Sequence, residues 1–103
     1  MRVKVSSASE LTLEAAEDIS SLEVTVSSEL DDARLEELLL ESSAGVPSGH
    51  HVWLAEEWLT QRYIDAVGKA KGDDLKKMLS SVEKYGWYAP DLGLVKAHIT
   101  DKD

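Results

Sequence analysis

The sequence predicts an α+β fold: a small single domain over residues 1–103, with three main helices and a short sheet that includes a C-terminal hairpin. Three observations lead there. Apolar residues recur at three- and four-residue spacing in 31–43, 55–68 and 73–85, the period of amphipathic helices. They alternate with polar residues in 2–5, 22–27 and 94–99, the period of half-buried strands. A chain of 103 residues can bury about two-thirds of its unfolded surface around one core. At 43% hydrophobic and 30% charged, its composition excludes collagen-like, low-complexity and wholly disordered classes.

Val3 and Val5 alternate with Arg2 and Lys4, and 22–27 repeats the pattern with β-branched Val24, Thr25 and Val26. Between these strands two readings compete. Leu11-Thr12-Leu13 alternates as a hairpin partner would, yet Glu14, Ala15, Ala16 and Glu17 favour helix. With Thr12 as cap and Ala16 and Ile19 facing inward, a short helix over 13–20 is preferred. From Asp31 the period is helical: Leu35, Leu38 and Leu39 share a face, Ser28 or Asp31 can cap it, and Asp31 and Asp32 suit the positive end of the helix dipole. The small, helix-breaking run 42–50 reads as a flexible loop. Residues 51–54 fit either a buried strand or the start of the next helix, whose stripe is Trp58, Leu59, Tyr63 and Val67 before Gly68. Leu75, Met78, Leu79, Val82 and Tyr85 make a third stripe, stopped by Gly86. Trp87 and Tyr88, a turn over 89–93 and a strand over 94–99 complete the hairpin, and 100–103 reads as a frayed end. The expected core is Leu35, Leu38, Leu39, Leu59, Tyr63, Leu75, Met78, Leu79 and Val82.

Charge is unevenly placed. Of the net −9, residues 1–49 hold eleven acids and three bases, while 50–103 hold nine acids and eight bases. Arg34 is the only base between Glu10 and Glu41. A surface of this sign repels phosphate backbones and attracts cations, which weighs against nucleic acid and points to a basic protein partner. Glu29, Asp32, Glu36 and Glu37 are its candidate contacts. Phenylalanine is absent, and all six aromatics lie in the second half. Trp58, Tyr63 and Tyr85 fall on helical stripes and suit the core; Trp53, Trp87 and Tyr88 are left as candidate binding anchors. Successive strand residues face opposite ways, so a sheet covered on one side buries only one of Trp87 and Tyr88.

Signals for chemistry are sparse. Without cysteine there is no disulfide, thiolate nucleophile or thiolate-ligated metal, and a reducing compartment is compatible. His50 and His51 diverge in any regular structure, the two-histidine spacing of zinc proteases is missing, and His98 stands apart. Helix starts and solvated faces account for the acid pairs Glu36-Glu37, Glu56-Glu57 and Asp73-Asp74. The glycines never form a phosphate loop or dinucleotide fingerprint. Accordingly no catalytic residue, cofactor or metal ligand is assigned. The start shows no apolar signal segment, and the longest apolar run, 52–55, is far short of the ~20 residues that span a bilayer, so a cytoplasmic protein with no membrane partner is expected.

The order of helices over 31–43, 55–68 and 73–85 followed by a hairpin resembles that of a winged helix-turn-helix domain. That resemblance implies a recognition helix over 74–85, a wing at 89–93, and DNA contacts from Lys76, Lys77, Ser80, Ser81 and Lys84. Three functions stay open: an acidic, non-enzymatic protein-interaction or regulatory module, the preferred one; a DNA-binding regulator; and a small enzyme or ligand-binding domain using His50, His51 or His98. The strand at 94–99 either pairs with its symmetry mate, giving a weak homodimer, or is covered by the first strand in a monomer.

Overall fold

The alternation near the start resolves into a hairpin. In the computed structural model, which describes residues 1–6, 10–18 and 22–100, β1 (Arg2–Val5) pairs antiparallel with β2 (Leu11–Glu14), Val3 opposite Leu13 and Val5 opposite Leu11. The helix preferred over 13–20 is therefore corrected to a strand in its first residues; Ile19 lies outside the described residues. Residues 14–17 amount to about one helical turn, too little to offset the cost of nucleation. Pairing with β1 instead satisfies backbone donors and sets Leu11 and Leu13 beside the two valines.

β3 (Glu23–Val26) lies parallel to β1 on its other edge. Then α1 (Asp32–Glu41) begins at Asp31, whose carboxylate accepts the Arg34 N–H at 2.8 Å as an N-cap. Residues 45–48, expected in a loop, form β4 (Gly45–Ser48), paired antiparallel with β5 (His51–Ala55). A strand, not a helix, thus occupies 51–54. Two further helices follow: α2 (Glu56–Val67) ends at Gly68, and α3 (Gly72–Val82) continues as a 3-10 turn over Glu83–Tyr85 to Gly86, in the left-handed conformation. β6 (Tyr88–Ala89) and β7 (Leu94–Thr100) form the terminal hairpin. Residues 101–103, expected to fray, lie outside the described residues, while Thr100 belongs to β7.

Among the described residues, seven strands make one mixed sheet in the order β2-β1-β3-β7-β5-β4, with β6 on β7. β7 is its spine. One edge pairs antiparallel with β5 over Leu94 to His98; the other is divided, β6 meeting its start and β3 running parallel to its end. This corrects the expected route to a homodimer, because β7 has no open edge along 94–99, and the strand that covers its end is β3, not β1. The hairpin's second strand is also hydrogen-bonded well beyond β6, so the 89–93 turn does not head an isolated two-stranded wing.

Strand alternation then defines two faces. Val3, Val5, Val24, Val52, Leu54, Val95 and Ala97 point to the helix side and are fully or almost fully buried. They meet Leu35, Leu38 and Leu39 of α1, Trp58, Leu59 and Tyr63 of α2, and Leu75 and Leu79 of α3. Seven expected core residues are confirmed. Met78 and Val82 are only partly buried and Tyr85 is 66% exposed, since the third stripe is wider than the contact α3 makes with the sheet.

The turn from α1 into β4 depends on Gly45. Its φ is +155°, and a Cβ there would collide with the Trp53 carbonyl oxygen across the ladder. Gly49, at φ +63°, has open space around it. We expect Gly45→Ala to lower unfolding free energy by about 1 to 3 kcal/mol through overpacking, and Gly49→Ala by only about 1 kcal/mol through backbone strain. Urea titration of both variants checks the order; equal losses would show that the close approach at Gly45 does not matter.

Candidate functional site

The face of the sheet away from the helices is open. In register across it, Ser48, His51, His98, Glu23, Arg2 and Glu14 sit on consecutive strands from β4 to β2. Arg2 engages both acids of this row, donating from Nε to Glu23 Oε1 at 2.9 Å and approaching Glu14 to 3.6 Å. Both pairs are exposed enough to be screened, so they organise the surface more than they stabilise it. The N-terminal half of the face, with Lys4, Thr12 and Thr25 in the next row, is polar.

The C-terminal half is aromatic. Val46 lies opposite Trp53 and Trp53 opposite Lys96, while the Lys96 N–H donates to the Trp87 carbonyl at 2.7 Å and so brings Trp87 to the far side of the lysine. The ammonium stands between the indoles, 5.9 Å from the Trp53 ring centre and 5.6 Å from that of Trp87. His51 packs edge-on against Trp87 at 5.7 Å and against His98 at 5.2 Å. His51, Trp53, Trp87 and Lys96 are half-buried, which fixes their positions while leaving surface to bind with.

The environment of His51 disfavours its charged form. Burial among the aromatics is the first cause, followed by the positive charge of Lys96 and by His98 and His50, and together they hold the imidazole below its ordinary value. Tyr88 faces the helix side, where its hydroxyl donates to Glu56 Oε2 at 2.9 Å. Burial, then that bond to a carboxylate, raises the Tyr88 phenol above its usual range and keeps it a neutral donor. Tyr88 thereby ties the terminal hairpin to the first turn of α2.

The expected site residues thus fall into three places. Trp53 and Trp87 share the open face. Tyr88 lies behind the sheet. Glu29 precedes α1, whose first turn carries Asp32; Glu36 and Glu37 are exposed further along that helix, Glu37 paired with Arg34. α1 packs against β4, so its acids and Trp53 flank the same end of the sheet from opposite sides. Of the histidines, His51 lies in β5 and joins His98, while His50 stays exposed in the turn. Among the described residues, no three histidine, aspartate or glutamate side chains converge as a metal site. Lys96 was missed by sequence reasoning, although its alternation with Val95 and Ala97 already sets it on the face of His98. No helix among the described residues is long and apolar enough to cross a membrane.

Comparison with known protein families, with curated proteins and with solved structures finds no match to this chain.

Protonating His51 is opposed in the folded protein more than in the unfolded chain, so the unfolded state binds more protons as pH falls. The stabilising contribution is complete above the ordinary histidine value of about 6.5 and is lost as pH drops from there toward the lower folded value. NMR titration is expected to place the His51 midpoint below 6.5, and Lys96→Met to move it upward. A midpoint at or above about 6.5 would mean that the cluster is solvated.

Proposed function

We propose that this domain is a non-enzymatic protein-interaction module of the cytoplasm, and that it takes a basic, partly apolar segment of another protein along the β4 side of the sheet. The observation that carries this reading is the pair of half-buried indoles, Trp53 and Trp87, set around Lys96 on a sheet face that no helix among the described residues covers. Large aromatic side chains held in place with their surfaces still accessible are the residues that most often dominate an interface. They lose little freedom on binding, because packing within the face already orders them.

Charge supports the choice of occupant. Glu36, Glu37 and Glu41 are exposed on α1, next to β4, and the N-terminal half of the chain carries most of the net −9. Leu40 and Val46, 56% and 41% exposed, add apolar surface on that helix and that strand. A basic segment rounding β4 would meet carboxylates on one side and the Trp53 indole on the other. β4 is also the last strand of the ladder, and its outer edge offers backbone groups to an extended segment, with Pro47 removing one donor. The competing reading, DNA binding through α3, draws on Lys76, Lys77, Ser80, Ser81 and Lys84, all exposed.

Titration of the isotopically labelled domain with a short peptide alternating lysine and valine tests the preferred reading. Shifts are expected at the Trp53 indole N–H and at the Glu36 and Glu37 amides, none with a glutamate–valine peptide, and an affinity about thirtyfold weaker in Trp53→Ala. Tighter binding of the acidic peptide, or of random duplex DNA with a steep salt dependence, would overturn it.

A further inference from the structure

His51 of β5 and His98 of β7 are register partners on the open face of the sheet. The Ile99 N–H donates to the His50 carbonyl at 2.8 Å, which makes 50 and 99 a hydrogen-bonded pair. By alternation His51 and His98 are the adjacent non-hydrogen-bonded pair, the type whose Cα atoms approach to about 4.5 Å and whose side chains lie closest. Their ring centres are 5.2 Å apart. With zinc–nitrogen bonds of about 2.0 to 2.1 Å, two imidazoles on one tetrahedral ion have their centres about 5 Å apart. The pair already has the spacing of a chelate. The ladder holds that spacing, because His98 has a strand partner on each side, Glu23 on β3 and His51 on β5, and β5 is itself paired on its other edge with β4.

We infer that His51 and His98 form a two-histidine site for a divalent transition metal ion, with zinc the ion whose tetrahedral geometry fits the spacing. Imidazole nitrogens suit zinc, copper and nickel, whereas magnesium and calcium take oxygen ligands. The ion is held by nitrogen lone pairs, so the site does not depend on a cluster of acids. His51 is the placed ligand, half-buried and edge-on to Trp87 at 5.7 Å. His98 is exposed, and since the two rings meet edge-on at 68° it turns about its side-chain bonds to bring a nitrogen onto the ion, with no movement of the strands. Neighbouring groups act on the pair in opposite senses. Glu23, which Arg2 also engages, stands beside His98 on β3, and a carboxylate next to a metal-bound imidazole strengthens it as a ligand. Lys96, two residues along β7 on the same face, repels the ion and lowers its affinity. No third histidine, aspartate or glutamate among the described residues converges on the pair, so the remaining positions of the metal go to water.

The probe is zinc chloride, with magnesium chloride as the oxygen-preferring control, titrated into the full chain and followed by calorimetry and by NMR of the imidazole nitrogens. Zinc is expected to bind as one ion per chain and to shift the His51 and His98 ring nitrogens together while His50 stays in place; magnesium is expected to shift none of them. His98→Ala removes an exposed side chain and so spares the fold, and it should weaken zinc binding about tenfold or more. His51→Gln should do the same, and His50→Ala should leave the affinity unchanged. An unchanged affinity in His98→Ala, an equal loss in His50→Ala, one ion shared by two chains, or no binding at millimolar zinc would each overturn the inference. The peptide titration is read at Trp53 and α1 without added metal, so the failure of either proposal is distinct from the failure of the other.

Discussion

β7 is hydrogen-bonded along both edges, and its alternation couples the core to the binding face. Val95 and Ala97 must point to the helices, because β5 delivers Leu54 and Val52 opposite them and the core closes there. Lys96 and His98 are then obliged to point the other way, beside Trp53 and His51. A slip of one residue would bury a lysine and a histidine and expose two core positions, so packing energy on one side fixes the arrangement on the other. The same strand positions Trp87 through the Lys96 amide.

Electrostatics is shared out between the two sides of the molecule in a comparable way. Most acids of the first half lie on α1 and around the N-terminal strands, where Arg2 organises Glu14 and Glu23. Near the aromatic half of the sheet the prominent ionisable groups are Lys96, His51 and His98. An acidic domain therefore carries Lys96 at its aromatic centre, with the α1 carboxylates beside β4 at the edge of that centre. Burial of His51 beside Lys96 disfavours the charged form of its imidazole.

Much of this was legible in the sequence, and what was not has identifiable causes. Helices with wide apolar stripes and acidic first turns were readable because 3.6-residue periodicity and dipole complementarity are local properties. The partition of the third stripe was not, since whether Met78, Val82 and Tyr85 are covered depends on how far α3 packs against the rest of the fold, which is a non-local property. β2 was misread because helix propensity over 14–17 outweighed, in a local reading, a pairing with β1 that only the folded sheet makes favourable. β4 was hidden by its own composition: Gly45 and Pro47 look like a loop, yet the first permits close approach to Trp53 and the second is tolerated on an edge strand. Trp53 and Trp87 could be singled out as anchors, but Lys96 between them required the register of three strands.

The dependence of the aromatic face on β7 is most directly tested by native-state hydrogen exchange. The amides of Lys96 and Ile99 are bonded on opposite edges of β7, to the Trp87 and His50 carbonyls. If β7 is the spine, both exchange only through global unfolding, far more slowly than the amides of the outer strands β2 and β4. A Lys96 amide that exchanges as fast as those of β4 while Ile99 stays protected would contradict it, because Trp87 would then not be held against Lys96 and the open face would have no fixed aromatic centre.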